Sequence, residues 1–240
     1  MKFKLPKISK RLGQNVAQNA NSDESAQFYS GKDYLEAYTK HTNARVEQNP
    51  QTAIGGLWEE MGQLQFDFLT QNGLQPQNTM LDIGCGTLRG GRHFIRFLNP
   101  GNYNGIDLSP KAIEAGYALV KEEGLTDKRP RLIVNEAKDL KFGDFAEESF
   151  DFLLAQSVFT HLLPEHIEEC FQHVGNVLNA SSRFFFTFHE GPQKSWKNKN
   201  FQCPISFFQN LADQYGFTLE DYSSRYPHPR NQHMLCITKK

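Results

Sequence analysis

The sequence predicts an α/β fold: one sheet of seven strands, six parallel and the C-terminal one antiparallel, with helices on both faces. Three observations carry this. From residue 79 onward, short apolar runs (TMLDI, YNGIDL, RLIVN, FDFLLA, SRFFFTF) alternate with helical stretches at 91–98, 110–123 and 164–178. That alternation implies right-handed crossovers and a parallel sheet covered on both sides. The end of the chain differs, because FTLEDYSSRY and HMLCITK are joined only by PHPRNQ. So short a connector allows an antiparallel pair and forbids a parallel crossover.

Taken in order, residues 1–24 are dominated by polar residues and read as a disordered tail. The opening MKFKLPKISKRLG is basic but has no apolar core, so it is not a secretory signal. Residues 25–76 read as N-terminal helices, in KDYLEAYTKHTNARVEQ and LWEEMGQLQFDFLTQNG. In the second, Leu57, Trp58, Met61, Leu64, Phe68 and Leu69 fall on one helical face, and Gly73 is a natural terminator. Residues 77–240 form the main domain, with a further helix in ISFFQNLADQYG ended by Gly216.

Composition narrows the function. A formal net charge of -1 and a pI near 6.7 give no global pull towards nucleic acid. The four cysteines, Cys85, Cys170, Cys203 and Cys236, form no CxxC pair, so neither zinc nor a redox dithiol is expected. No apolar stretch is long enough to span a membrane, and a cytoplasmic location is expected.

The chemistry concentrates in LDIGCGTLRGG. A strand running into glycines suits a nucleotide-like ligand, yet the third glycine of a dinucleotide fingerprint is Arg89, and no Gly-Lys-Ser/Thr is present. Asp82, just before the glycines, would repel a pyrophosphate and suits an ammonium. Asp107, closing the second strand, can accept both hydroxyls of a ribose. The ligand therefore reads as a nucleoside with a cationic, amino-acid-like tail.

Together, MLDIGCGTLRGG, YNGIDLSP, NEAKDLKF and FDFLLAQSVFTHL resemble the class I S-adenosylmethionine-dependent methyltransferases, over roughly residues 55–240. The resemblance implies a Rossmann-like sheet, S-adenosylmethionine as cofactor and methyl transfer as the activity. By position, Asp82, Gly84, Cys85 and Gly86 match the motif that wraps the methionine portion. Asp107 matches the ribose acid, with Leu108 beside the adenine. Glu136 and Ala137 stand where a carboxylate and a backbone N–H read the adenine, and Gln156 where a backbone carbonyl meets the ammonium. Two positions depart from the family pattern: its third glycine is Leu88, and Glu136 replaces the commoner Asp. The N-terminal helix of Trp58 and Met61 is expected over the pocket.

The acceptor is narrowed by what is missing. AQSVFTH replaces the Pro-Pro-aromatic signature of base-amine methylation, and the paired glutamates of arginine methylation are absent. Cys203 comes too late for a cytosine-type nucleophile. Only Glu190 is available at the ends of strands four and five, so no metal site is expected. What remains is a small-molecule or saccharide-like acceptor with an oxygen or nitrogen nucleophile. His161, His189 and His228 are the candidate bases; Glu190, Tyr226 and Arg230 are the candidate acceptor contacts. The stretch HEGPQKSWKNKNFQCP, with Lys194, Lys197 and Lys199, reads either as a lid or as a solvated loop. The alternatives are a nicotinamide oxidoreductase, a non-catalytic binding or sensor protein, and an S-adenosylmethionine-using enzyme of another reaction type.

Overall fold

The computed structural model describes residues 34–145, 149–197 and 200–240, with backbone alone at 195–197. The tail read at residues 1–24 lies outside the described residues. The strands are β1 (Met80–Ile83), β2 (Tyr103–Asp107), β3 (Arg131–Val134), β4 (Phe150–Ala155), β5 (Leu178–Glu190), β6 (Ser195–Lys197), β7 (Asn200–Cys203), β8 (Phe217–Asp221) and β9 (His233–Lys239). Seven form the main sheet, in the order β3-β2-β1-β4-β5-β9-β8. β1 to β5 pair in parallel. β9 is antiparallel to both β5 and β8, so β8 points the same way as the first five strands.

The helices are α1 (Tyr34–Gln48), α2 (Pro50–Ala53), α3 (Trp58–Gln71), α4 (Gly91–Phe97), α5 (Pro110–Glu122), α6 (Pro164–Val174) and α7 (Ile205–Tyr215). Local chemistry sets several ends. Asn49 caps α2, its Oδ1 accepting from the N–H groups of Gln51 and Thr52, both at 3.0 Å. Ser109 caps α5 in the same way, accepting from Ala112 N–H at 3.0 Å, and Pro110 fills the first helical position. α6 ends sooner than the periodicity suggests: Gly175–Val177 tightens into a 3-10 turn and β5 begins at Leu178.

The run FFFTF in β5 shows why the strands read as continuously apolar. Phe184 and Phe186 enter the core beneath α6 and α7 with Phe159, Phe171 and Phe208. Phe185 enters the opposite core beneath α3 with Phe68, Phe152 and Tyr222. Alternate residues face opposite sides, and both sides are dry.

One element was not anticipated. β6 and β7 form a hairpin within HEGPQKSWKNKNFQCP, and β7 pairs in parallel with the tip of β5, His189 beside Gln202 and Glu190 beside Cys203. β8 also stops at Asp221, earlier than FTLEDYSSRY suggests. A 3-10 turn at Ser223–Arg225 follows, which lengthens the connector to β9.

Candidate functional site

A cavity of about 630 Å³ opens at the carboxyl ends of the parallel strands, where ligands of open α/β sheets gather. Its floor is the β1–α4 loop. Gly84 and Gly86 have φ of 69° and 56°, and a Cβ on Gly84 would come within 2.6 Å of Val158 Cγ2. Both conformation and space therefore call for glycine at that position. The loop's next residue at positive φ is Leu88, at 68°. It stands where a third glycine would be, and its side chain is fully buried. Room for it comes from Gly91 and Gly116, whose Cβ atoms would lie 2.7 Å from its Cδ2 and 3.2 Å from its Cγ.

Two carboxylates mark one end. Asp107 closes β2, and its oxygens accept from Gly86 N–H at 2.9 Å and Ser109 N–H at 2.8 Å. Burial raises its pKa, and those backbone donors hold it back. Each oxygen keeps a lone pair for a ligand hydroxyl. Asp82, in β1, accepts from the Tyr103 hydroxyl at 2.7 Å. Burial pushes its pKa up to about 7, against the Tyr103 hydrogen bond, with Asp107 adding repulsion.

The other end is a polar network from β4, β5 and the β8–β9 connector. Thr187 Oγ1 accepts from Ser157 N–H at 2.7 Å and donates to Gln232 Oε1 at 2.7 Å. Ser157 Oγ also donates to Gln232 Oε1, at 2.9 Å. The Tyr226 hydroxyl donates to Gln156 Oε1 at 2.7 Å. His228 Nδ1 lies 3.1 Å from the Arg230 N–H, which donates to it, and its Nε2 lies 3.2 Å from the Gln156 amide nitrogen. Burial and the fields of Arg89, His189 and Arg230 push its pKa down to about 4, so it is neutral at pH 7.

The wall facing the sheet comes from the N-terminal segment. Tyr38, His41 and Arg45 of α1, the loop Ile54–Gly55–Leu57, and Met61 and Gln65 of α3 all line the cavity. Val46 and Ala53 pack on Ala112 of α5, which seats this wall beside Asp107. Ser109 Oγ donates to Asn43 Oδ1 at 2.6 Å, and Thr87 Oγ1 donates to Pro50 O at 2.9 Å.

Residues 80–181 match the family described as methyltransferase domain. That matched stretch and the solved structures that share its fold are those of class I S-adenosylmethionine-dependent methyltransferases. The chain is an enzyme of that transferase class, and its cofactor is S-adenosylmethionine. Solved structures share the fold at low identity. The magnesium protoporphyrin IX methyltransferase of Synechocystis, solved with S-adenosylmethionine bound, has a TM-score of 0.64 at 14% identity, over 88% of this chain and 99% of its own. A TehB-like S-adenosylmethionine-dependent methyltransferase of Corynebacterium glutamicum has a TM-score of 0.56 at 21% identity, over 85% of this chain and all of its own. The [4+2]-cyclase SpnF has a TM-score of 0.65 at 15% identity, over 86% and 97%.

In this methyltransferase the sequence-predicted residues divide. Asp82, Gly84, Cys85, Gly86, Asp107, Leu108 and Gln156 line one cavity together with His161, His189, His228 and Arg230. Four others stand off its wall. Glu136 and Ala137 point outward and are exposed, because the chain turns back after β3: Glu136 N–H donates to Val134 O at 3.0 Å, and Lys138 takes a φ of 54°. Asn135, Lys138, Asp139 and Leu140 face the cavity instead. Glu190 pairs with His233, its Oε2 3.4 Å from Nε2. Tyr226 lies one layer behind the wall, its ring 4.9 Å from Phe68 and its hydroxyl on Gln156. His161 is on the wall beside the N-terminal segment; its ring packs 5.7 Å from Tyr38 and its carbonyl accepts from Tyr34. Lys194 covers the Phe207 ring at 5.0 Å, while the side chains of Lys197 and Lys199 lie outside the described residues. Trp58 takes the Arg92 guanidinium at 5.4 Å, and it is Met61 of that helix that reaches the cavity.

Of the wall residues missed in the sequence, two left a signal there. Arg89 counted only as a missing glycine. Gln65 sits between Met61 and Phe68 on the apolar face of α3, and a polar residue on a buried stripe is itself a signal. A Cβ on Gly90 would come within 2.3 Å of the Gln65 Oε1.

Proposed function

We propose that this methyltransferase acts on an oxygen or nitrogen of a small-molecule or saccharide-like acceptor. The observation that carries the reading is one cavity of about 630 Å³ with two carboxylates at one end and an amide–histidine–arginine network at the other. Its size suits a nucleoside-type cofactor beside a small acceptor. The fit is chemical as well: Asp107 has acceptor capacity left for ribose hydroxyls, Asp82 suits an ammonium, and the glycine loop lets the backbone approach closely. Leu108, Asn135 and Leu140 would flank the adenine, a part for which Glu136 and Ala137 remain candidates through their backbone. Residues 77–240 would form the cofactor domain, and the helices within 25–76 its cover.

When bound, S-adenosylmethionine supplies a methyl group on a sulfonium for in-line displacement. The chain's own residues position the acceptor and exclude water. Gln156, Ser157 and Gln232 offer hydrogen bonds to it, and their mutual bonds fix their orientation before it arrives. His228 is held neutral, its ring fixed between the Arg230 N–H and the Gln156 amide, so that it orients the acceptor without adding charge. Proton removal, where the nucleophile needs it, falls to His189 or His161.

Thermal unfolding tests the cofactor half. S-adenosylhomocysteine at a hundred times its Kd should add about 2.7 kcal/mol, roughly 5–10 °C for a chain of this size. A comparable shift with NAD and none with S-adenosylhomocysteine would reverse the assignment. Turnover tests the rest: S-adenosylhomocysteine released together with a 14-dalton heavier acceptor (~14 Da is the mass of an added CH₂) marks methyl transfer. A changed acceptor without S-adenosylhomocysteine would point to another reaction on the same fold.

A further inference from the structure

Arg89 is 8% exposed and stands in the cavity wall. Its Nη1 donates to the carbonyls of Ile54 at 3.1 Å and Gly56 at 2.9 Å. Among the described residues no carboxylate lies within ion-pair distance of it, and neither Nε nor Nη2 has a hydrogen-bond partner. A buried cation satisfied only by two carbonyls is costly. Asp82, the acid in its field, is engaged by Tyr103.

Arg89 is not alone. Arg230 reaches the same loop from the other side, its Nη2 donating to the carbonyl between those two, that of Gly55. His228 lies in the field of both arginines and of His189, and His189 in that of Arg230 and His233. All but His233 line the cavity. Two arginines and two histidines therefore converge on one stretch of the cavity lining. The loop of carbonyls that holds them apart leaves most of their forked donors unused.

We propose that the acceptor carries an anionic group, a carboxylate or a phosphate, received between Arg89 and Arg230 under the Ile54–Gly56 loop. This rests on the cofactor reading above and adds the substrate class. A guanidinium fork matches two oxygens of such a group at once. The charge that Arg89 lacks in the protein then arrives with the substrate, and a neutral acceptor of equal shape leaves it uncompensated. The same pairing registers the acceptor against the floor of the cavity.

The test titrates benzoate, phenyl phosphate and benzyl alcohol into the full-length protein saturated with S-adenosylhomocysteine, by calorimetry. At least one of the two anions binds ten times more tightly than the alcohol, and the better one names the group. Arg230→Gln, on the exposed connector, weakens that anion at least tenfold and changes S-adenosylhomocysteine affinity less than threefold. Arg89→Lys, which keeps charge but not the fork, does the same to a smaller degree. Equal binding of alcohol and anions overturns the proposal. So does an Arg89→Lys variant that loses tenfold in S-adenosylhomocysteine affinity while binding the anion unchanged, because Arg89 then serves the cofactor's own carboxylate. Failure of the wild-type protein to bind S-adenosylhomocysteine brings down the cofactor reading itself.

Discussion

Asp107 and Asp82 sit 25 residues apart in sequence and do different work. Asp107 joins two loops, because the Gly86 and Ser109 N–H groups both end on it. Asp107→Ala should therefore weaken S-adenosylhomocysteine binding by about 2–3 kcal/mol, on the order of a hundredfold. It should also destabilise the ligand-free fold by about 1–2 kcal/mol for the two stranded donors. Calorimetry and urea unfolding read the two effects separately, and full affinity in a folded variant would leave Asp107 a turn-forming role only. Asp82 is a proton store. Its folded pKa of about 7 lies above the ordinary 3.8, so its contribution to stability is full below the lower value and fades as pH rises through the higher. A ligand ammonium favours the ionised form, so binding should expel up to about half a proton at pH 7. The binding enthalpy should differ between phosphate and Tris buffers, and Asp82→Asn should abolish the difference. Equal enthalpies for the wild type would mean that Asp82 keeps one charge state throughout.

The β1–α4 loop shows how an element absorbs a substitution that looks wrong in the sequence. Leucine in the left-handed region costs about 1–2 kcal/mol. Burying its side chain recovers about 2–3 kcal/mol. The recovery depends on Gly91 and Gly116, which leave room for it. Two truncations should then rank against their size. Leu88→Ala keeps the backbone strain and loses the packing, while Leu88→Gly loses slightly more packing but relieves the strain. Urea unfolding should find the alanine variant the less stable by about 1 kcal/mol; the reverse ranking would show that the strain carries no weight.

At the scale of the whole molecule, most of the sheet was legible because its strands are buried on both faces. A run such as SRFFFTF, with neither face wet, reads the same whichever neighbour it finds. The reversal at the end was legible from connector length. The β6–β7 hairpin was not: its strands have three and four residues, and its anchor is the tip of β5, a contact that leaves no local period. For the candidate site the floor was legible, since Gly84, Gly86, Asp82 and Asp107 stand within the strands and turns that signal them. The opposite wall was not. It depends on three successive residues at positive φ, Gly55 (98°), Gly56 (65°) and Leu57 (50°), which aim carbonyls at Arg89 and Arg230. Nothing in the run AIGGLW says which distant arginines will answer them.

The N-terminal wall touches the rest of the molecule through hydrogen bonds to His161, Ser109, Thr87, Arg89 and Arg230. Those anchors belong to four different loops, so lifting the α1–α2 part of the wall, unlike α3 with Phe68 and Leu69 in the core, would break them together as a latch, and ligand residence time is the readout. A latch that must lift for entry and exit alike slows both and leaves equilibrium affinity where it was. Thr87→Val removes one anchor without touching the cavity wall, since Thr87 is buried behind it and bonds only to Pro50 O. Losing about 1 kcal/mol of latch should speed both association and release of S-adenosylhomocysteine about fivefold at unchanged Kd. Stopped-flow fluorescence would show it. A faster release at the old association rate would mean that this threonine holds the ligand, and that the latch is not what sets the pace of exchange.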